Sequence, residues 1–142
     1  MSEAKILIPE GLPVKDRGNG VVTTPLVTSA RGSQAILNGI TRIAPGAAVP
    51  LHIHNCEESV VVLSGTGRVH IDGAEHPVSP GVTSWIPPEV PHCFLNLEGS
   101  EPLVIFWTYA SIEATRTLVA TGETRPVAAE HAKDKLIGKA AE

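Results

Sequence analysis

The chain has 142 residues, with 15 acidic against 11 basic side chains and a formal net charge of −4. That length suits one domain with a sizeable core, and the absence of any Lys/Arg cluster argues against nucleic acid or a membrane surface as partner. The 13 glycines and 12 prolines exceed an average combined usage of roughly 12% and predict many turns, while two cysteines, Cys56 and Cys93, are too few for a disulfide framework.

Along the chain, the first apolar run, Ile6-Leu7-Ile8, is too short for a signal peptide, and no stretch approaches the roughly 20 apolar residues of a membrane span. The chain therefore reads as cytoplasmic. Extended segments are predicted at 21–28, 34–44, 49–54, 58–63, 68–72, 75–78, 83–86, 92–97 and 102–110, because each is β-branched, apolar or alternating and ends in turn residues. Asp72-Gly73 between two of them is a strong two-residue hairpin signal. Many short strands at regular spacing point to an all-β sandwich or barrel over 1–110. The remainder, 111–142, reads as a C-terminal arm or tail: 111–121 as a further strand or arm, and 127–141 as a short helix weakened by Gly138 or a disordered end.

The chemistry concentrates in four residues, His52, His54, Glu58 and His92. In a strand, positions i and i+2 share a face, so His52 and His54 point the same way. A turn at 55–57 is expected to return Glu58 across a hairpin, bringing three ligands onto one wall. His92 must arrive from another strand after a proline-rich turn. Imidazole and carboxylate ligands suit a divalent transition metal such as Fe, Mn, Ni or Zn. Such a set leaves about two positions open in an octahedral site for substrate or O2. Glu58 is preferred over Glu57 because alternation puts it on the face of Val60 and Val62. Cys56 and Cys93 adjoin the ligands; alternation turns Cys93 away, and thiolate ligation is the minor reading for both.

The two stretches resemble the paired signature motifs of the cupin superfamily. The first, G-x5-H-x-H-x3-E-x6-G, is matched by Gly46, His52, His54, Glu58 and Gly65. The second, G-x5-P-x-G-x2-H-x3-N, is matched by Gly81, Pro87, His92 and Asn96, with Glu89 where the family usually has glycine. The resemblance implies a small antiparallel jelly-roll β-barrel with one divalent metal inside, and a homodimer for which 21–28 and 111–121 are candidate contacts. It implies an enzyme on a small-molecule substrate without naming the reaction. A dioxygenase-type oxidoreductase leads. A non-redox isomerase, lyase or decarboxylase follows, in which a Lewis-acid metal polarises a carbonyl and Glu89 or Tyr109 serves as acid or base. A ligand-binding module without catalysis is third.

Further pocket candidates are Trp85, Phe94, Asn96, Tyr109 and Glu89. Phe94 and Asn96 share the face of His92, and Ile105, Trp107 and Tyr109 share one face of the last strong strand. Arg42 reads as a solvated strand-face residue. His70, His76 and His131 fit no ligand spacing.

Overall fold

The computed structural model describes residues 3–128. Its strands are β1 (Lys15–Gly18), β2 (Val21–Pro25), β3 (Leu37–Ile43), β4 (Ala47–Ala48), β5 (His52–His54), β6 (Glu58–Ser64), β7 (Gly67–Ile71), β8 (Ala74–Val78), β9 (Thr83–Ile86), β10 (His92–Asn96), β11 (Leu103–Tyr109), β12 (Thr115–Leu118) and β13 (Thr124–Pro126). One sheet runs β1-β2-β3-β11-β6-β9 and the other β13-β12-β5-β10-β7-β8, with β4 against β10. Among the described residues every strand pairing is antiparallel, and the two sheets face each other as a jelly roll. No described helix is long and apolar enough to cross a membrane.

Period-two alternation builds the core between the sheets. Along β11, Leu103, Ile105, Trp107 and Tyr109 are buried and the residues between them half-buried. β11 is flanked on both edges, by β3 and β6, so its inner face meets the opposite sheet. Burying Leu103 completely is worth about 2 kcal/mol. In β6 the inward set is Glu58, Val60 and Val62, the face expected for Glu58.

Turn chemistry fixes the connections. Asp72 and Gly73 have φ of 51° and 87°, the two left-handed positions of a type I′ turn, and Ile71 pairs with Ala74 across it. Gly65, at φ 82°, cannot be replaced without conflict, because a Cβ there would lie 2.1 Å from the Pro102 carbonyl oxygen.

The expected hairpin between the two-histidine strand and Glu58 does not form. Both edges of β5 are taken, by β10 and β12, so β6 cannot pair with it and joins the other sheet. The turn at 55–57 therefore carries the chain from one sheet to the other. Residues 115–126 extend the second sheet as β12 and β13. The helix expected over 127–141 lies, beyond residue 128, outside the described residues, as does His131.

Candidate metal centre

His52 and His54 project from β5 and His92 from β10, in register with His52 on the neighbouring strand. Glu58 reaches them from the facing sheet. The four residues offer ligand atoms that all lie within 4.8 Å of one another, and all four are at most 6% exposed.

Each imidazole is held by its outer nitrogen. Nδ1 of His52 lies 2.6 Å from the Pro50 carbonyl, that of His54 2.9 Å from the Thr115 carbonyl, and that of His92 2.9 Å from the Val90 carbonyl. A carbonyl only accepts, so each Nδ1 carries a proton and donates, and Nε2 is the nitrogen left for the interior, bearing a lone pair in the neutral ring and a second N–H in the protonated one. This tether is how metal-binding imidazoles are oriented. His92 Nε2 lies 3.0 Å and His54 Nε2 3.3 Å from Glu58 Oε1. Ligand atoms at right angles around an ion, with bonds of about 2.1 Å, are about 3 Å apart, so the spacing fits one. His54 Nε2 is buried without a hydrogen-bond partner, an orphan that a cation would satisfy.

The electrostatics favour ligation. Burial pushes the Glu58 carboxyl up, but contact with His54 and His92 and their charge outweigh it and hold the group at about 2. Burial, then His92 and His54, lower His52 well below the ordinary histidine range, against the Pro50 carbonyl and Glu58, which raise it. A metal would take the place of the protons between Nε2 and the carboxylate, because imidazole ligands must be neutral and the carboxylate ionised. Burial raises both cysteine thiols above their usual range, and neither joins the cluster.

The cavity at the cluster is lined by Phe94 and Tyr109, and also by Thr41, Trp107, Arg17 and Arg116. The Tyr109 ring packs edge-on against His54 at 4.6 Å between centroids. Trp107 donates its indole N–H to Thr41 at 2.7 Å and lies against Gly39, where a Cβ would come within 2.6 Å of it. Its alternation with Tyr109 in β11 was a usable sequence signal. Arg17 and Arg116 carried none: Arg116 enters from a strand whose partner residue, His54, is 62 positions away, and Arg17 from a strand whose register with β2 shifts beside it.

Three expected pocket residues lie elsewhere. Trp85 is 63% exposed: Ile86 and Ser84 face inward, so alternation sends the indole to the outer surface, where it donates to Glu57 at 2.8 Å. Asn96 is fully buried but serves the backbone, donating from Nδ2 to the carbonyls of Ile43 and Glu101, both at 2.9 Å. Glu89 is exposed with φ 68°, and its backbone N–H donates to the His54 carbonyl at 2.8 Å. Arg42 and His76 are exposed, and His70 lies 4.0 Å from Glu75, away from the cluster.

A family model described as a cupin domain matches residues 39–109. Protein SchB of Streptomyces halstedii is 30% identical over 105 residues, 73% of this chain and 76% of that protein. Among solved structures, the polyketide cyclase RemF from Streptomyces resistomycificus superposes with a TM-score of 0.71 at 19% identity, covering 88% of this chain and 86% of that one. A predicted oxalate decarboxylase from Thermotoga maritima does so with a TM-score of 0.68 at 22% identity, covering 75% and 99%. Both structures share this chain's fold.

Proposed function

Because the chain belongs to the cupin family, we propose that it is a metal-dependent enzyme acting on a small organic molecule, with His52, His54, Glu58 and His92 as the ligands of one divalent transition metal. The observation that carries this reading is the Nδ1 tether on all three imidazoles, which leaves the other ring nitrogens for a cluster in which one ligand atom from each of the four residues lies within 4.8 Å of the rest. Iron, manganese, nickel or zinc bound there would supply Lewis acidity and open coordination positions for substrate oxygens.

The chain's own residues favour proton-transfer chemistry at a substrate carbonyl, of isomerase, lyase, decarboxylase or cyclase type. Tyr109 stands against His54 in the cavity and holds or moves a proton at the substrate oxygen. Trp107 and Phe94 present apolar surface that orients a planar substrate and keeps water out. The dioxygenase reading stands second, supported by the two coordination positions that a three-histidine, one-glutamate set leaves open. A cytoplasmic homodimer belongs to the same proposal, and light scattering reads its oligomeric state.

The test is elemental analysis of untagged protein purified without added metal. About one transition metal per chain is expected, lost in His52→Ala and His92→Ala and kept in His70→Ala. Full metal in all three variants would overturn the ligand assignment. Substrate-dependent O2 uptake by iron-loaded protein selects the dioxygenase reading, and solvent deuterium incorporation without O2 uptake selects proton transfer.

A further inference from the structure

We propose, on the metal-dependent reading above, that Trp107 is the residue that sets substrate size. The substrate is then a compact chelator, too small to carry a ring beside its metal-binding oxygens. The cavity at the cluster has a volume of about 50 Å3. That is room for roughly three to five water-sized spheres of about 10–15 Å3 each, whereas sites for drug-sized ligands measure about 300–1,000 Å3.

The indole is the largest side chain lining this cavity, and two features of β3 hold it in place. Trp107 pairs directly with Gly39 across the β11–β3 ladder. A Cβ at Gly39 would lie 2.6 and 2.8 Å from two carbons of the indole, so the ring occupies the space that any other residue there would fill. Two positions on, the buried Thr41 accepts the indole N–H at 2.7 Å. An indole N–H only donates, which fixes the ring's edge toward β3. Thr41 is itself held, by a hydroxyl contact of 3.0 Å with Thr23. Swinging the ring aside would leave a buried donor and a buried hydroxyl without each other, a costly change. The wall is therefore rigid and does not yield to a larger ligand.

Its position makes that rigidity matter to the metal. The Trp107 ring lies 5.2 Å from that of Tyr109, which lies 4.6 Å from that of His54. The indole thus stands two ring contacts from a proposed ligand, on the sheet that faces His52, His92 and Phe94. A molecule bound by two oxygens at the metal has Phe94 on one side and the indole on the other. Whatever it carries beyond those oxygens must fit between them.

The test uses two probes that share one chelating group, acetohydroxamate and benzohydroxamate, added to cobalt-loaded protein and followed by cobalt absorption and calorimetry. In an open site the phenyl ring would bury more apolar surface and bind tighter. The wall reverses that order, so wild type is expected to bind acetohydroxamate about tenfold or more tighter than benzohydroxamate. Trp107→Leu, with its cobalt content unchanged, is expected to turn the preference to benzohydroxamate. Thr41→Val keeps the shape of the side chain but gives up the acceptor, and its ratio is expected to fall between the two. Trp85→Leu, which removes the exposed indole on the outer face, is expected to keep the wild-type ratio. Wild type that binds benzohydroxamate as tightly as acetohydroxamate, or a ratio unmoved in Trp107→Leu, overturns the size-setting role and leaves the metal reading standing. If Trp107→Leu does not fold, a wild-type ratio in Thr41→Val overturns that role. Cobalt-loaded protein that binds neither probe overturns the compact chelator. A chain that takes up no cobalt overturns the metal reading, and this inference with it.

Discussion

His92 Nε2 lies 3.0 Å from Glu58 Oε1 although the two side chains come from different sheets and 34 positions apart. In the metal-free protein this contact, with that of His54, is what holds the buried carboxyl near 2 against the upward push of burial.

A pH dependence follows for the metal-free protein. The folded Glu58 value lies below its ordinary 4.5, so its stabilisation, on the order of 3 kcal/mol by linkage, is complete above about pH 4.5 and is lost as pH falls toward 2. His52 is also depressed, so its contribution is complete above its ordinary value of 6.5 and declines as pH falls below it. Denaturant midpoints from pH 8 to 3 should fall in two stages. Glu58→Gln should remove the lower stage and His52→Asn the upper; an unchanged profile in Glu58→Gln would refute the account.

Glu89 occupies a left-handed backbone position, φ 68°, that costs an L-residue about 1–2 kcal/mol. Its side chain is exposed, and its hydrogen bond to His54 uses the backbone alone. Glu89→Gly should therefore stabilise the protein by about 0.5–1 kcal/mol, after the unfolded-state entropy of glycine, and raise Tm by about 2–4 °C. Metal content should not change. A lower Tm would mean that the carboxylate makes a contact the chain needs.

Asn96→Ala should cost about 2–4 kcal/mol, because it strips donors from the carbonyls of Ile43 and Glu101 in a fully buried site. Urea unfolding reads the loss. The metal stoichiometry of the folded variant should match wild type, since Asn96 supports the loop that follows β10 and not the ligands. Loss of metal at full stability would contradict that role.

The two tryptophans separate optically. Trp107 lines the cavity, and Trp85 is exposed on the outer face. Binding of a paramagnetic ion such as Cu(II) or Co(II) should quench most of the emission of Trp85→Phe, which retains Trp107, and little of that of Trp107→Phe. Equal quenching in both would place the bound ion outside the cavity.

What the sequence made legible was local. The Asp72-Gly73 turn, the choice of Glu58 over Glu57, and the inward sets of β6 and β11 all follow from period two and turn chemistry over a few residues. Trp85 was legible by the same rule, since Ile86 next to it is the apolar residue that must go inside, but proximity to the second motif outweighed alternation. The sheet in which each strand ends was not legible. That β5 sits between β10 and β12, and so meets Glu58 across the interior and not across a hairpin, depends on pairings 40 to 66 residues apart. Arg116 was hidden for the same reason.

The carbonyl that orients His54 belongs to Thr115, 61 positions away, on a strand that also caps the open edge of β5. Both lie outside the two signature stretches. Grafting those stretches alone into another scaffold would transfer the four proposed ligands but leave one imidazole free to spin, and loss of such a support typically weakens metal affinity about 10- to 100-fold. Sequence drift around Thr115 would thus tune how tightly the proposed site holds an ion, with no change to any of the four side chains.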